Sequence, residues 1–314
     1  VKPAERSTSK APASPSNGAK TTAKPTTPPL SSATLQKRNK RVEHGQPASG
    51  VVVNTTGPQK VEILTVETRK HTKRFHMPGV CCTFFNNLGG DQKWHGKMTK
   101  VQVTLKWLME DSIKNPTAIR IFADGADVAA GGCTRGELLA NYYRVVAAGM
   151  GGPVVIGADT KFWPKDMRGQ VRFDSLRSRR SLVLKAFDLG DWAYRKYLLS
   201  DESEYQYANS GFIMGPSAAL VQVYSCMNKV STSPKFSDQQ ALTECLFGEA
   251  KDLLTIDYAA GIVLTGSGLK FKEILQADNG KVRNRVTGQV QCFAHLNYPD
   301  PFPRSFFDKL LGQY

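Results

Sequence analysis

The chain has 314 residues, with 42 Lys and Arg against 27 Asp and Glu, which gives a formal net charge of +15. Its length allows one large domain or two smaller ones, and its content of 40% hydrophobic and 22% charged residues fits a globular protein with some additional polar sequence. No apolar run approaches the roughly 20 residues of a membrane helix, so the sequence predicts no membrane span. The positive surplus favours a polyanionic partner, such as nucleic acid.

The N-terminal residues 1–60 differ in composition from the rest of the chain. Residues 1–50 hold nine Lys and Arg against two Glu, a surplus of +7 that leaves +8 for the other 264 residues. In residues 1–36, Pro, Ser and Thr occur six times each, and no aromatic residue precedes Phe75. Such a segment has too little apolar surface to offset its ordering entropy. We therefore expect residues 1–60 to be a basic extension that is disordered alone, serving either as a flexible linker or as an arm that binds RNA or DNA.

Residues 61–314 show alternating strand and helix patterns and are expected to form one α/β domain. The predicted elements in chain order are strands at 61–66 and 81–85, a helix at 98–111, a strand at 118–123, a helix at 137–148, a strand at 154–157, a helix around 192–199, a strand at 212–215, helices at 217–227 and 238–247, and strands at 253–257 and 290–295. The alternation in the first half is typical of a largely parallel sheet.

The six cysteines are scattered and include no Cys-x-x-Cys pair, which argues against a zinc ribbon or a redox dithiol. They are also too few for a disulfide scaffold, so we expect small buried apolar residues in a reducing compartment. The chain begins with Val1 rather than Met and shows no secretory signal, which suggests processing or truncation. These features predict an intracellular protein that is not secreted, with the mitochondrion favoured over the nucleus.

Two carboxylates follow the predicted strand at 118–123. Asp124 comes directly after it, and Asp127 lies three residues further on. Ligands of α/β sheets bind beyond the carboxyl ends of the strands, and paired carboxylates on a tight loop suit Mg²⁺ or Mn²⁺. Such an ion can neutralise a diphosphate leaving group. Taken alone, the pair is more typical of aspartates that cap helices and turns than of a metal site.

Six segments in order resemble the glycosyltransferase domain of procollagen lysyl hydroxylases, the related collagen galactosyltransferases and kinetoplastid glycosyltransferases of the same type. They are ILTVET at 63–68, IFADGADV at 121–128, NSGFIMGP at 209–216, SDQQALT at 237–243, IDY at 256–258 and AHLN at 294–297. The resemblance covers roughly residues 61–300. It implies a GT-A-type fold, in which a Rossmann-like mixed sheet flanked by helices binds a UDP-sugar through a divalent metal.

The resemblance also implies roles for individual residues. The implied metal ligands, for Mn²⁺ or Mg²⁺, are Asp124, Asp127 and His295. The residues implied to contact the nucleotide or donor are Thr65, Thr68, Trp94, Asp124, Gln239 and Asn297. The implied catalytic residues are Asp238, which orients the donor or acts as a base, and Asn209, near the sugar and acceptor. From the residues alone, His295 is equally a structural histidine, Asn209 part of a turn, and Asp238 a helix cap.

At three positions the sequence differs from that family in residues that would contact the nucleotide. Ala126 stands where the relatives have an aromatic residue, Tyr298 stands where they have Gly, and Arg304 is the downstream cation available in place of their Lys. Metal ligands are thus retained while nucleotide contacts are eroded, and the sequence leaves open whether the protein is an active enzyme. The chain also has neither a hydroxylase domain nor a secretory signal, so collagen is not expected as its acceptor.

Two functions follow as hypotheses. The first is a UDP-sugar-dependent glycosyltransferase that transfers a hexose to a polymeric acceptor. The second is a repurposed glycosyltransferase fold that serves as a structural, RNA-contacting subunit of a ribonucleoprotein, such as a mitochondrial ribosome. For either, we expect a polyanion, RNA (including rRNA) or DNA, to bind residues 1–60 and the basic segment 168–185, within a large assembly. The basic residues of that segment are Arg168, Arg172, Arg177, Arg179, Arg180 and Lys185.

Overall fold

A computed structural model describes residues 60–68, 84–125, 127–150, 152–163, 170–188, 205–233, 235–266, 274–285 and 288–296. The expectations about residues 1–59, the helix around 192–199 and the positions 126, 168, 297, 298 and 304 lie outside these residues. The domain boundary near residue 60 therefore stays a prediction. None of the helices in the described residues combines the length and hydropathy of a membrane span.

Five α-helices and eleven strands are described. The helices are α1 (Met98–Lys114), α2 (Arg135–Ala148), α3 (Arg177–Ala186), α4 (Ser217–Val230) and α5 (Asp238–Leu246), and a 3-10 helix covers Gln170–Leu176. The strands are β1 (Val61–Thr65), β2 (Phe84–Asn87), β3 (Ile119–Ala123), β4 (Val128–Ala130), β5 (Val154–Asp159), β6 (Tyr207–Pro216), β7 (Leu254–Ile256), β8 (Val263–Thr265), β9 (Leu275–Asp278), β10 (Lys281–Asn284) and β11 (Phe293–His295).

The main sheet has six strands in the order β2-β1-β3-β6-β5-β7. β1 runs parallel to β2 and β3, and β5 runs parallel to β7. β6 lies antiparallel between β3 and β5, so the expectation of a largely parallel sheet is wrong at the centre. Strand order along the chain did not reveal this, because the long connection between β5 and β6 allows either direction. The predicted α/β class, with a mixed sheet flanked by helices, is confirmed.

The sheet is buried on both faces because helices cover it. β3 and β5 are buried along their whole length, as expected for strands that read as continuous apolar runs. α1, α4 and α5 pack on one another and against β1, β3 and β6, while α2 packs against β5, β7 and α3. Burial of each aliphatic side chain stabilises the folded state by about 1.5–3 kcal/mol, so these strands form the stable centre of the fold.

One charged side chain is buried in the middle of this sheet. The Arg120 side chain is fully buried, and it donates from Nε and Nη2 to both carboxylate oxygens of Asp111 at 2.8 and 2.7 Å. Asp111 also accepts from Ser217 Oγ at 2.7 Å and Asn115 Nδ2 at 2.9 Å. This network joins the end of α1 to β3 and to the start of α4, so it fixes α1 relative to the sheet.

A second, three-stranded sheet has the order β4-β11-β8. β11 pairs antiparallel with β4, which places His295 opposite Val128, and parallel with β8. The predicted strand at 290–295 is thus confirmed in its last three residues. Its partner β4 begins directly after Asp127. The small sheet therefore joins two segments that are far apart in the sequence.

The cysteines differ from the expectation of scattered free thiols. Cys133 and Cys292 form one disulfide, and Cys226 and Cys245 form another, with sequence separations of 159 and 19. The interpretation of these four as isolated buried thiols is therefore wrong. Because the partners lie far apart along the chain, their spacing did not reveal the pairing. Disulfides persist mainly in oxidising compartments, which counts against a reducing one. The compartment itself stays a prediction.

Candidate metal centre

Three side chains implied as metal ligands come together at one end of the main sheet. Asp124 directly follows β3, Asp127 directly precedes β4, and His295 ends β11. One ligand atom from each lies within 4.8 Å of the others, and His295 Nε2 is 3.5 Å from Asp127 Oδ2. His295 is buried, whereas Asp124 and Asp127 are half-buried. The arrangement is therefore open to a ligand on the side of the carboxylates.

Backbone hydrogen bonds hold the three segments at this spacing. The Asp124 N–H donates to the Gly211 carbonyl at 2.9 Å, which fixes the end of β3 to β6. The Leu296 N–H donates to the Asp127 carbonyl at 2.6 Å, which continues the pairing of β4 with β11. Since both contacts are made by the backbone, the positions of the ligands follow from the topology of the two sheets.

A chain of polar contacts orients the His295 ring. Asn209 Nδ2 donates to Asp159 Oδ2 at 3.1 Å, so Asn209 Oδ1 points the other way. That oxygen accepts from the Gly211 N–H at 2.9 Å and lies 3.0 Å from His295 Nδ1. A carboxylate only accepts, which fixes the orientation of the amide and places the proton of a neutral His295 on Nδ1. His295 Nε2 then presents its lone pair towards Asp127.

Gly211 leaves room for this ring. A Cβ at position 211 would overlap the imidazole of His295. The Asn-Ser-Gly segment at 209–211 is therefore part of strand β6 rather than a turn, and its glycine is required by the close approach of the histidine ring. The alternative interpretation of Asn209 as a turn residue is wrong.

Lys100 is a site residue that the sequence analysis missed. Its Nζ lies 2.7 Å from Asp124 Oδ1 and 2.7 Å from Asp238 Oδ2. Asp238 is buried at the start of α5 and also accepts from Ser210 Oγ at 3.0 Å. The available signal was a lysine in the first turn of α1, where the helix dipole disfavours a cation and no acidic residue is present. Such a lysine is stabilised by a carboxylate from elsewhere in the fold.

The charges of this cluster shift its pKa values in different directions. Burial raises the pKa of Asp124 above its ordinary value; the carboxylates of Asp127 and Asp238 add to this, and Lys100 opposes it. Burial opposes ionisation of Asp238 too, but Lys100 and Ser210 lower the pKa of this carboxyl. Burial would lower the pKa of Lys100, yet Asp124 and Asp238 raise it well above its ordinary value. The Lys100 ammonium thus offsets part of the negative charge of Asp124 and Asp238.

His295 and Asp127 also shift each other's pKa values. Burial would lower the pKa of His295, but the Asp127 carboxylate raises it above its ordinary value. Burial would raise the pKa of Asp127, whereas His295 lowers it. The two side chains therefore favour each other's charged forms. A cation between them would compete with a proton for the same atoms.

The donor atoms fit a divalent cation. Asp127 Oδ1 is buried and has no hydrogen-bond partner among the described residues, and leaving a buried carboxylate oxygen unpaired is costly. Asp124, Asp127 and Asp238 carry three negative charges when ionised, and Lys100 carries one positive charge, so a single divalent ion balances the remainder. Two carboxylates and an imidazole suit Mn²⁺ better than Mg²⁺, which prefers oxygen ligands.

A cavity of about 450 Å³ opens beside Asp124 and Asp127. Its described lining is Val66, Glu67, Thr68, Trp94, Lys100, Asp124, Gly125 and Asp127. The volume lies in the usual range for small-molecule sites. Trp94 is 45% exposed, so its ring surface is available to a ligand.

The other residues predicted to contact the nucleotide or donor do not all line the cavity. Thr65 is fully buried at the end of β1, and its Oγ1 has no hydrogen-bond partner among the described residues. Gln239 is buried in α5, and its Nε2 donates to the Trp163 carbonyl at 3.4 Å. The described cavity lining thus includes Thr68 and Trp94 but neither Thr65 nor Gln239. The prediction for Asn297 lies outside the described residues.

The basic segment is described from residue 170 onward. Arg172 contacts Glu244 at 3.0 Å, and Arg177 contacts Asp174 at 3.0 Å, so both guanidinium groups have carboxylate partners within the protein. Arg179 donates to the Lys251 carbonyl at 3.5 Å. RNA or DNA binding through this segment and residues 1–60, and membership of a large assembly, stay predictions.

Comparisons with known proteins add a structural likeness. No protein-family model matches the sequence, and no curated protein matches it. Among solved structures, the fold is similar to a crystal structure of a glycosyltransferase involved in the glycosylation of the major capsid of PBCV-1, with a TM-score of 0.42 and 10% identity over 81% of this chain and 100% of that chain. A likeness at this level carries no argument about function. The resemblance to the collagen-type family stays a prediction.

Proposed function

We propose that this chain is a metal-dependent glycosyltransferase that takes a hexose from a UDP-sugar and transfers it to a polymeric acceptor. The observation that carries the proposal is the cluster of Asp124, Asp127 and His295 at the edge of a cavity of about 450 Å³. The same cavity is lined by a lysine and an exposed tryptophan. This combination offers a cation site, a positive charge for phosphate and an aromatic surface for a base.

Asp124, Asp127 and His295 would hold the metal, and Mn²⁺ fits them best. When bound, the ion would neutralise the charge that develops on a diphosphate leaving group. The chain prepares the site for it in two ways. Asn209 holds His295 with Nε2 towards Asp127, and the unpaired Asp127 Oδ1 offers a buried acceptor. Hydrogen-bonded ligands of this kind bind metals more tightly than free ones.

Lys100 is the residue we assign to the diphosphate. Its ammonium lines the cavity and lies between Asp124 and Asp238, at 2.7 Å from each. Charge-assisted hydrogen bonds to phosphate are roughly twice as strong as neutral ones. Lys100 therefore supplies a cation at the site, a role that the resembled family is expected to give to a downstream lysine. Trp94, also on the cavity wall, offers a stacking surface to the uracil.

Asp238 and Asn209 act as positioning residues in this proposal. Asp238 Oδ2 accepts from Ser210 and contacts Lys100, so its carboxylate holds the lysine in place. Both polar atoms of the Asn209 amide are engaged, one with Asp159 and the other with Gly211 and His295. The geometry thus favours orientation over proton transfer for both side chains.

The test uses the full chain with Mn²⁺ and a set of UDP-hexoses. We expect Mn²⁺ binding by electron paramagnetic resonance, UDP-sugar binding by calorimetry only when Mn²⁺ is present, and release of UDP. Asp127→Ala should abolish metal and donor binding. Asp174→Ala is the matched control, because Asp174 is an exposed carboxylate paired with Arg177. Wild-type protein that binds neither Mn²⁺ nor a UDP-sugar would refute the proposal, and co-sedimentation of that protein with ribosomal subunits would then favour the ribonucleoprotein hypothesis.

A further inference from the structure

The Cys133–Cys292 disulfide lies at the opposite end of a short ladder from the metal ligands. Cys133 is three residues beyond the end of β4, and Cys292 directly precedes β11. Asp127 directly precedes β4, and His295 ends β11. Because the two strands are antiparallel, their other ends are joined by the disulfide. Three residues of extended strand span about 10 Å, so the cross-link is close to the site.

The β4–β11 ladder, which places Asp127 beside His295, is short. β4 and β11 each have three residues, and the pairs are Phe293 with Ala130, Ala294 with Ala129, and His295 with Val128. β11 also pairs with β8, but β4 has β11 as its sole strand partner in the described sheets. Isolated two-stranded pairings are marginally stable in water. The position of Asp127 therefore depends on the pairing of one short edge strand.

Without a cation, the site places two like charges at one end of this pairing. Asp127 Oδ1 is buried without a hydrogen-bond partner among the described residues, and its carboxylate shares a small volume with Asp124. Desolvation and like charge both favour movement of Asp127 away from Asp124. His295 on β11, with Nε2 3.5 Å from Asp127 Oδ2, opposes that movement. A covalent link at the other end of β4 opposes it further, because it keeps the strand from separating from β11.

The surrounding backbone is consistent with a tightly held junction. The Gly131 N–H donates to the Cys292 carbonyl at 2.8 Å, and Val282 N–H donates to the Gly131 carbonyl at 2.7 Å. A Cβ at Gly131 would overlap the Gln291 carbonyl oxygen, so the two chain segments are in direct contact beside the disulfide. Both cysteines are 1% exposed, which protects the bond from solvent.

We propose that the Cys133–Cys292 disulfide positions Asp127 and His295 at metal-ligand spacing, so that reduction of this bond weakens the metal site without unfolding the domain. The inference rests on the proposed function for its metal, but the pairing of the strands can be measured without one. Reduction requires a dithiol or phosphine, which takes the disulfide to two thiols and is itself oxidised.

The second disulfide provides an internal control. Cys226 lies in α4 and Cys245 in α5, both are buried, and neither belongs to β4 or β11. Removing it destabilises the protein generally but leaves the β4–β11 ladder covalently closed. We therefore compare C133A/C292V with C226A/C245V, in which alanine and valine together restore part of the lost apolar volume. Mass measurement after alkylation without reductant first establishes which cysteines are paired.

Two measurements are made on each protein. Hydrogen exchange of segments 127–131 and 292–296 reports the opening of the ladder, including the Leu296 amide that donates to Asp127. Titration with Mn²⁺, followed by electron paramagnetic resonance, reports the affinity of the site. In C133A/C292V we expect exchange in both segments to accelerate and the Mn²⁺ dissociation constant to rise about tenfold or more, as for other losses of ligand support. C226A/C245V should change neither by more than about twofold.

The possible results separate this inference from the proposed function. Unchanged exchange and affinity in C133A/C292V, or equal weakening in both variants, would overturn the inference while leaving a metal-binding wild type intact. Wild-type protein that binds no Mn²⁺, but whose ladder opens in C133A/C292V, would refute the proposed function and support the positioning role. If C133A/C292V does not fold, the same measurements on C226A/C245V before and after reduction decide the question, because Cys133–Cys292 is the only one of the two described disulfides left in that variant.

Discussion

Asn209 Oδ1 lies 3.0 Å from His295 Nδ1, and the same oxygen accepts the Gly211 N–H at 2.9 Å. The amide thereby determines which ring nitrogen faces the carboxylates. Replacing Asn209 by Ala removes this contact and should weaken Mn²⁺ binding about 10–100-fold, the usual effect of losing a partner of a metal-bound histidine.

Titration of Asn209→Ala with Mn²⁺ checks this expectation, with Asn141→Ala as the control. Asn141 is also buried and donates to the Gly261 carbonyl at 2.8 Å, but it contacts none of the three ligands. If both variants bind Mn²⁺ with wild-type affinity, Asn209 does not orient the histidine.

Gly211 provides the space for the His295 ring, so Gly211→Ala should displace it. A Cβ there would overlap the buried imidazole, and overpacking of this kind costs about 1–3 kcal/mol of unfolding free energy. We expect both a lower midpoint of urea unfolding and at least about tenfold weaker Mn²⁺ binding.

Gly90→Ala is the matched control for Gly211→Ala, because a Cβ at Gly90 would have no neighbour within 4 Å. Its unfolding midpoint and Mn²⁺ affinity should equal those of the wild type. Wild-type metal affinity in Gly211→Ala would show that the ring moves without cost to the site.

Lys100 should affect the donor and the metal in opposite ways. Lys100→Gln removes the cation that contacts Asp124 and Asp238 at 2.7 Å, so the carboxylate cluster keeps more negative charge. Mn²⁺ should then bind at least as tightly as to the wild type, whereas UDP-sugar binding should weaken about tenfold or more, since a charged phosphate contact is lost.

Calorimetry with Mn²⁺ alone and then with the UDP-sugar separates the two effects of Lys100→Gln. Lys106→Gln, an exposed lysine on the same helix, serves as the control and should change neither affinity. Weaker Mn²⁺ binding with unchanged donor binding in Lys100→Gln would contradict the assigned role.

The Arg120–Asp111 pair should make stability depend on pH in the acid range. Burial opposes ionisation of Asp111, but its hydrogen bonds from Arg120, Ser217 and Asn115 lower its pKa below the ordinary value of 3.8. Because the folded-state pKa is lowered, the stabilisation is present above about pH 4 and is lost as the pH falls through the folded-state value. Asp111→Asn removes the closer of the two carboxylates beside buried Arg120 and leaves Glu62 at 3.8 Å, so it should cost up to about 3–5 kcal/mol near neutral pH.

Urea unfolding at several pH values tests this expectation. The difference in unfolding free energy between the wild type and Asp111→Asn should be largest near neutral pH and shrink below pH 4. Asp174→Asn removes a partner of the exposed Arg177 and should cost at most about 1 kcal/mol. A difference that does not change between neutral and acid pH would mean that the pair does not stabilise the fold through the ionised carboxylate.

Local sequence patterns were sufficient to predict many of the helices and strands. The apolar runs at β1, β3 and β5 and the helical patterns at α1, α2, α4 and α5 predicted these elements, because a buried strand or amphipathic helix needs a particular order of side chains. The β9–β10 hairpin was missed, although Asn279 and Gly280 occupy its turn with φ of 50° and 75°. An Asn-Gly pair is a strong hairpin signal and was available in the sequence.

Less of the candidate metal site than of the fold could be predicted from local sequence. Asp124 and Asp127 are three residues apart after an apolar strand, so the sequence by itself determined that two carboxylates meet at the end of β3. Lys100, Asn209 and His295 approach them from three other elements, and the Cys133–Cys292 disulfide joins residues 159 positions apart. Only the tertiary structure decided these contacts, because they depend on how β6 and the small sheet pack against β3 rather than on the order of neighbouring residues.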